Sequence, residues 1–464
     1  MIVPLSDDEY LTYREHVNKD LITILTNGNP DTFWSPNNHI LNTLFVKASL
    51  GMFGLHDWAF RLHILAAFLV CFYFMYKIIA GFVPSPARTM AYLGILFLNP
   101  YLLDFFSIAR GYGPSIAAWA ATMYFTVKYF DRPTLRYLGW AMFSLFMATW
   151  ANFSAIYFLP LFGAIFLFSF FQNKHDGNIR KHFLLLIGGA SVLLAVIALP
   201  FSKVLDSKAI FVGSGSFYQD CIVSYVDYYM HYNEKMGRFD RVGPWSKMEV
   251  YGAILSAIWI LLQAVSIAIP SGKKIRQLQY MALFQCAGIL SIVLVLHAMM
   301  DVPYPYHRSV LLFTFPFILC FIISLELLVI RFKYFRFAVY ALFAFCIWHC
   351  SHSWNFVNTM EWYRNGDAKL LFTYLDKALP EGYTGNIPTL GAEQWQYFSL
   401  AFYAETKYKD RIELKFTTLE NHDIYDYLFV PKYMKDNVWP DYMPMQEFRY
   451  CILYKRKVDD GSAQ

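Results

Sequence analysis

Residues 58–80 read WAFRLHILAAFLVCFYFMYKIIA, apolar and aromatic apart from Arg61, His63 and Lys77. As a helix rising about 1.5 Å per residue, this stretch is ~35 Å long, enough to cross a hydrocarbon core about 30 Å thick. The same kind of run recurs to residue 354. Ten spans are predicted, at about 58–80, 89–107, 114–130, 137–151, 153–171, 182–203, 249–270, 279–299, 309–330 and 337–354. The fourth and fifth cannot be one helix, since together they would run to ~52 Å. A break is therefore predicted at Asn152, in "WANFS". Composition agrees: 57% of the 464 residues are hydrophobic, 19% aromatic and 16% charged, against about 25% charged in soluble domains.

Lys and Arg in short loops set orientation. One set of loops carries Lys77, Arg88, Lys128, Arg132, Arg136, Lys174, Arg180, Lys181, Lys273, Lys274, Arg276, Arg331, Lys333 and Arg336, fourteen in all. The short loops of the opposite set carry only Arg110 and Arg308. The basic set is read as cytoplasmic. Residues 1–57 (a first outer loop with amphipathic segments), loop 204–248 and the tail from residue 355 then lie outside. Residues 1–354 are expected to be the membrane module. Residues 355–464 are expected to form a small α+β domain, with β-like runs "YDYLFVP" and "FRYCILYKRK" and a helical stretch "DAKLLFTYLDKAL". The fold class is thus a mostly α, polytopic helix bundle with an extracytoplasmic α+β domain.

The net charge of +5 does not indicate nucleic acid, because so many of the basic residues fall in short loops between spans. The seven cysteines have no metal-ligand spacing. Cys71, Cys286, Cys320, Cys346 and Cys350 lie in or beside spans as small apolar fillers. Cys221 and Cys451 are the two available for pairing in an oxidising compartment. His63, His297 and His349 are expected to be bonded inside the bundle, and Trp34, Trp58 and Trp150 to be interfacial or packing residues. No His–acid pair shows metal spacing, and no nucleotide-binding loop is present.

The remaining polar groups gather on the outer side: Asp7, Asp8, Glu9, His39, Asp104, Arg110, Tyr112, Tyr306, His307 and Arg308. Ionisable groups at a membrane are costly and are functional candidates by default. Carboxylates together with arginines suit a base beside an anion site, because the guanidinium fork donates in pairs to phosphate. Each also has a plainer reading. The acids could form a solvated helix start, Arg110, His307 and Arg308 could anchor at the interface, and Gly111 and Gly113 could be turn residues. Arg61, opening the first span, is read as an anchor.

Order adds to these residues. Asp8 and Glu9 are followed by Tyr13, then by Phe53, Gly54, Trp58, Arg61 and Leu62, and later by Ala109, Arg110 and Tyr112. This series, over roughly residues 6–130, resembles the GT-C superfamily of polyprenyl-phosphate-sugar-dependent glycosyltransferases. The bacterial protein O-mannosyltransferases and lipid A aminoarabinose transferases are the nearest in look. Beyond residue 130 the likeness rests on topology and on "PYPYHRS". Two features depart from the pattern. Ile108 stands where many relatives have a second acid, with Asp104 one turn earlier, and "NNHILNTL" replaces the commoner His-Pro-Pro-Leu stretch.

The resemblance implies sugar transfer from a polyprenyl-phosphate donor to a glycan, lipid or protein acceptor at the outer face of a bacterial inner membrane. It implies Asp8 as general base, with Glu9 or Asp7 as substitutes. Arg110, His307 and Arg308 would bind the donor phosphate. His39, Tyr112, Tyr306 and Asp104 would contact substrate. No cofactor is implied beyond the lipid-linked sugar, and the residues leave a divalent ion open. A transporter or flippase of a lipid-linked or anionic substrate is the alternative from another class. Such proteins usually show repeated halves and midplane charges, whereas here the charges lie at one face and no repeat is visible. The outer N-terminus has no helix or signal peptide to carry it across. In the resembled superfamily the acids follow a first membrane helix, so one further span is expected upstream of Met1.

Overall fold

Apolar runs in a bilayer close their backbone hydrogen bonds within themselves, so these segments fold as helices. The computed structural model of the protein describes residues 3–27, 39–172, 179–206, 215–226, 245–353, 358–359, 362–378, 387–419 and 424–457. Trp34 and most of loop 204–248 lie outside the described residues. In chain order the helices are α1 (Asp7–Thr12), α2 (Leu21–Thr26), α3 (Ile40–Phe53), α4 (Asp57–Ala80), α5 (Pro86–Phe97), α6 (Pro100–Phe105), α7 (Tyr112–Asp131) and α8 (Leu135–Ala151). They continue with α9 (Phe158–Gln172), α10 (Ile179–Asp206), α11 (Trp245–Ala268), α12 (Lys273–Met300), α13 (Arg308–Arg331), α14 (Arg336–Ser353), α15 (Ala368–Ala378) and α16 (Gln394–Thr406).

Among the described residues, seven helices are long and apolar enough to cross a membrane: Asp57–Ala80, Phe153–Gln172, Ile179–Lys203, Glu249–Ala268, Lys273–Met300, Arg308–Arg331 and Lys333–Ser353. The other three expected spans are helical but fall outside this set. The expected span 89–107 is broken. Asn99 caps α6 by accepting from Leu102 N at 3.2 Å, and Pro100 opens that helix. The residue before a proline is pushed out of the helical region, which separates α5 from α6. The break at Asn152 is present. Its backbone is extended (φ −151°), its side chain accepts from Ser154 N, and a 3-10 turn, Phe153–Tyr157, leads into α9.

The chain divides into two compact units. The larger contains Lys19–Phe45 and Leu62–Trp354. Its most enclosed post is α13, with 78% of its most apolar window buried against at most 50% in the other six spans. Glu326 on α13 is fully buried and takes a bidentate pair from Arg88 (3.1 and 3.0 Å) with a third bond from the Tyr92 hydroxyl at 3.0 Å. Three polar groups from α5 and α13 thus satisfy one another inside the bundle.

The second unit contains Met1–Asn18, Val46–Arg61 and Asn355–Gln464. It therefore gathers the N-terminal acids and the start of α4 with the tail. Its sheet runs β2-β1-β3-β5-β4. The strands are β1 (Thr389–Glu393), β2 (Glu413–Thr417), β3 (Tyr427–Pro431), β4 (Tyr442–Glu447) and β5 (Cys451–Arg456). β1 is parallel to both β2 and β3, and β5 is antiparallel to both β3 and β4. The predicted runs became β3, β5 and α15. α16 crosses from β1 to β2, and Leu428, Val430, Trp439, Tyr442 and Tyr454 form a core cluster. All seven cysteines are free thiols, so Cys221 and Cys451 are not joined. Cys221 instead points its thiol at the Pro305 carbonyl, 3.3 Å away.

The Arg88–Glu326 pair gives the first test. Removing one partner of a buried pair costs about 3–5 kcal/mol, whereas replacing both by apolar residues is often neutral. Arg88→Ala is expected to lower the Tm of the detergent-purified protein clearly, and the double change Arg88→Met/Glu326→Leu is expected to recover most of it. A single variant with wild-type Tm would show that the pair carries no stability.

Candidate functional site

Ser6 starts α1 with a reciprocal cap: its hydroxyl accepts from Glu9 N at 3.3 Å, and its own N–H donates to Glu9 Oε2 at 2.9 Å. This fixes Glu9 on the side of α1 that meets Arg61. Arg61 Nε and Nη2 donate to the two Glu9 oxygens at 2.7 and 2.5 Å, and both side chains are almost wholly buried. The same guanidinium donates to the carbonyls of Val3 and Pro4 at 3.1 and 2.7 Å. Arg61 is therefore not a mere interface anchor. It holds the N-terminal segment by backbone and by charge.

Asp7 is fixed from another side. Its N–H donates to Asn365 Oδ1 at 3.3 Å, and its Oδ1 accepts from Asn365 Nδ2 and from Ser399 N, both at 3.0 Å. Tyr10 donates to Glu405 at 2.8 Å. The Tyr403 hydroxyl accepts from Leu5 N at 3.1 Å and donates to Asp57 at 3.3 Å, and Lys369 pairs with Asp57. Asp8 stands half-buried between two fixed acids. Burial pushes the Asp7 carboxyl well above the usual range; the Asn365 bond opposes this, and the Asp8 and Glu393 charges add to it.

The other candidates lie in the larger unit. His39 Nδ1 bonds the Ala151 carbonyl at 3.1 Å, and its ring lies 5.4 Å from Tyr112. Asn42 donates to the Ala109 carbonyl at 3.0 Å and is bonded in turn by His63 Nε2 at 2.8 Å. Arg110 is buried between Ala109 and Gly111. Gly111 is not a plain turn residue, because a Cβ there would stand 1.7 Å from the Ala151 carbonyl oxygen. The start of α7 therefore presses directly on the end of α8. A Cβ at Gly113 would likewise stand 2.8 Å from the Phe105 carbonyl oxygen. Asp104, on α6, is buried.

A continuous run of contacts leads from this cluster to the second. Tyr112 meets Phe105 at 4.8 Å, Phe105 meets Tyr101 at 5.2 Å, and Tyr101 meets Tyr225 at 6.5 Å. The neighbouring Ser224 hydroxyl accepts from His307 N at 3.4 Å. His307 precedes α13 with φ 48°, a sparsely populated region for a side-chain-bearing residue and one met most often at functional sites. Its ring lies 3.4 Å from that of Tyr306. Tyr306 and Ser309 border a cavity of about 270 Å³ whose walls include Phe153, Tyr157, Leu296 and Phe313. The residues bordering the cavity thus reach the start of α13, whose first residue is Arg308 and which His307 precedes. Such a terminus favours anions. Among the described residues no group of three His, Cys, Asp or Glu side chains is placed to hold a metal ion.

Arg61, Asn42, Asn365, Ser399 and Tyr403 were not among the expected site residues. Only the Ser6-x-x-Glu9 capping signature was visible locally; the others meet their partners across long sequence separations.

Two solved structures similar to this chain are of ArnT from Cupriavidus metallidurans. The apo state is 11% identical, covers 98% of this chain and 93% of its own, and has a TM-score of 0.41. The form bound to undecaprenyl phosphate is 12% identical, covers 99% and 94%, and has a TM-score of 0.39. No family model matches the chain, and no curated protein matches it. At these values no residue here inherits a role from either structure.

Two outcomes follow from the acidic helix. Arg61→Ala strands Glu9 as a buried charge and is expected to cost about 3–5 kcal/mol. Limited proteolysis should then cut within residues 3–17, and an uncut segment would contradict the clamp. For Asp7, the folded pKa lies above the unfolded value of about 3.9. Its contribution to stability is therefore full below that value and is lost as pH rises through the folded pKa. Asp7→Asn is expected to reduce the fall in Tm between pH 4 and pH 7, and an unchanged fall would overturn this.

Proposed function

We propose that this chain is an integral-membrane glycosyltransferase that moves a sugar from a polyprenyl-phosphate donor to an acceptor at the extracytoplasmic face. The observation that carries this reading is the cavity. Its walls are mostly apolar and aromatic, suited to isoprene units, and Tyr306 and Ser309 border it on either side of His307 and Arg308 in the chain. A lipid tail with an anionic head matches both parts. The acidic segment and the Ala109-Arg110-x-Tyr112 stretch supply the other groups such a reaction needs. In this reading the site faces the periplasm and the membrane is a bacterial inner membrane.

In this reading Asp8 takes the proton from an acceptor hydroxyl or amine as it attacks the anomeric carbon. The bond from that carbon to the phosphate oxygen breaks, and polyprenyl phosphate leaves. Arg110, with His307 and Arg308, stabilises the charge that grows on the phosphate, a role worth most where water is excluded. His39 and Tyr112, held together on α7 and the Ala151 carbonyl, orient substrate with Tyr306 and Asp104. Glu9 and Asp7 serve the bonds described above, and Asp8 is the member of the triplet assigned to chemistry.

The test is transfer of labelled sugar from synthetic polyprenyl-phosphate donors, one hexose and one pentose, into an envelope acceptor fraction. Asp8→Asn is expected to lower kcat by ~10²–10⁴-fold with the protein still folded. Arg110→Ala is expected to lower it by about 10²–10³-fold. Normal turnover by Asp8→Asn would overturn the assignment. Movement of intact donor across vesicles without transfer would favour the flippase.

A further inference from the structure

Asp7 and its neighbours Leu5 and Tyr10 are held by one helix of the tail and one short turn before it. α16 supplies Ser399 N to Asp7, the Tyr403 hydroxyl to Leu5 N, and Glu405 to Tyr10. Phe402 of the same helix packs edge-on to Tyr13 and Phe60, with centroids at 6.1 and 5.5 Å. α16 leaves the carboxyl end of β1, in the parallel part (β2-β1-β3) of the mixed sheet; in open α/β sheets ligands usually bind outside the carboxyl ends of the strands. Here the chain's own α1 docks on that helix. The turn is Tyr363–Asp367. Its Asp367 is fully buried and accepts from Tyr450 N and Cys451 N at 2.6 and 2.9 Å, which ties the turn to the start of β5. Two residues earlier, Asn365 makes its paired bonds to Asp7.

We infer that Asn365 is a positioning residue: through its reciprocal bonds to Asp7, the tail domain sets the direction of the Asp8 carboxylate. Asp7 is latched by Asn365 and Ser399 N, Glu9 by Arg61, and Asp8 lies between them at the start of a helical stretch of eleven residues, α1 running on as a π-helix over Tyr13–Val17. A helix that short does not hold itself in water. Its orientation comes from these partners, and a shift of about 1 Å at a reacting group can cost ~10²-fold in rate. The inference rests on the reading of Asp8 as base.

The pair can be exchanged. Asn365→Asp faces Asp7 with a second carboxylate and removes the amide donor. Adding Asp7→Asn restores one amide and one carboxylate in reversed order, and the new amide oxygen at position 7 can still accept from Ser399 N. Hydrogen exchange of residues 7–17 and transfer kinetics are measured on the full-length purified protein. Asn365→Asp is expected to lose exchange protection in this segment, and to lose ~10–100-fold in kcat at an unchanged donor KM. The exchanged pair is expected to regain both. Wild-type protection in Asn365→Asp would overturn the latch. Protection that returns in the exchanged pair while kcat stays low would overturn the positioning role. If protection follows the latch but the wild type transfers no sugar, the Asp8 reading fails and not the latch.

Discussion

The buried pair of Glu9 and Arg61 is the constraint on which the acidic segment depends. Two opposite charges taken out of water are tolerated only with good geometry and with their remaining valences filled. Here both conditions are met. The fork is bidentate at 2.7 and 2.5 Å, the third and fourth bonds go to Val3 and Pro4, and Glu9 also closes the cap with Ser6. One guanidinium at the start of a membrane helix therefore ties down a segment that has too few residues to fold alone. Around it the tail adds the Asp7, Tyr10 and Leu5 contacts, so three remote stretches of sequence make one small unit.

The larger unit solves a related problem inside the bilayer. Polar groups there pair with one another, as in Arg88, Tyr92 and Glu326, or bond a carbonyl that a break in the helix has exposed. The Ala151 carbonyl accepts from His39 because Asn152 ends α8, and Gly111 permits the approach that brings Tyr112 to the same place. The candidate residues of this unit thus gather at helix ends. Asn152, Gly111 and His307 each mark a terminus, and each terminus leaves backbone groups outside the helical ladder that collect polar partners.

Much of this was legible in the sequence. Apolar runs with basic flanks marked the helices, the length limit on 137–171 required the break at Asn152, and the alternating runs at 427–431 and 451–456 became strands. The Asn99-Pro100 signal is equally local, but it lies inside the apolar run 89–107, which reads as one span. β1, β2 and α16 were missed because their sequences are short and mixed. The site was read as a set of candidates, and its bonding was not. Nothing near Arg61 announces Glu9, and nothing near Asn365 announces Asp7, since each pair forms only when distant segments pack. Charge type and sidedness are local properties, whereas partner choice is a tertiary one.

The central claim is that a lipid chain occupies the aromatic cavity with its phosphate at the cationic outer end of the helices. The direct measurement is a cryo-EM structure in nanodiscs containing a polyprenyl phosphate. Isoprenoid density is expected against Phe153, Tyr157 and Phe313, and phosphate density within hydrogen-bond reach of Arg110, His307 or Arg308. An empty cavity at saturating lipid, or a phosphate bound among the basic loops of the opposite face, would contradict it.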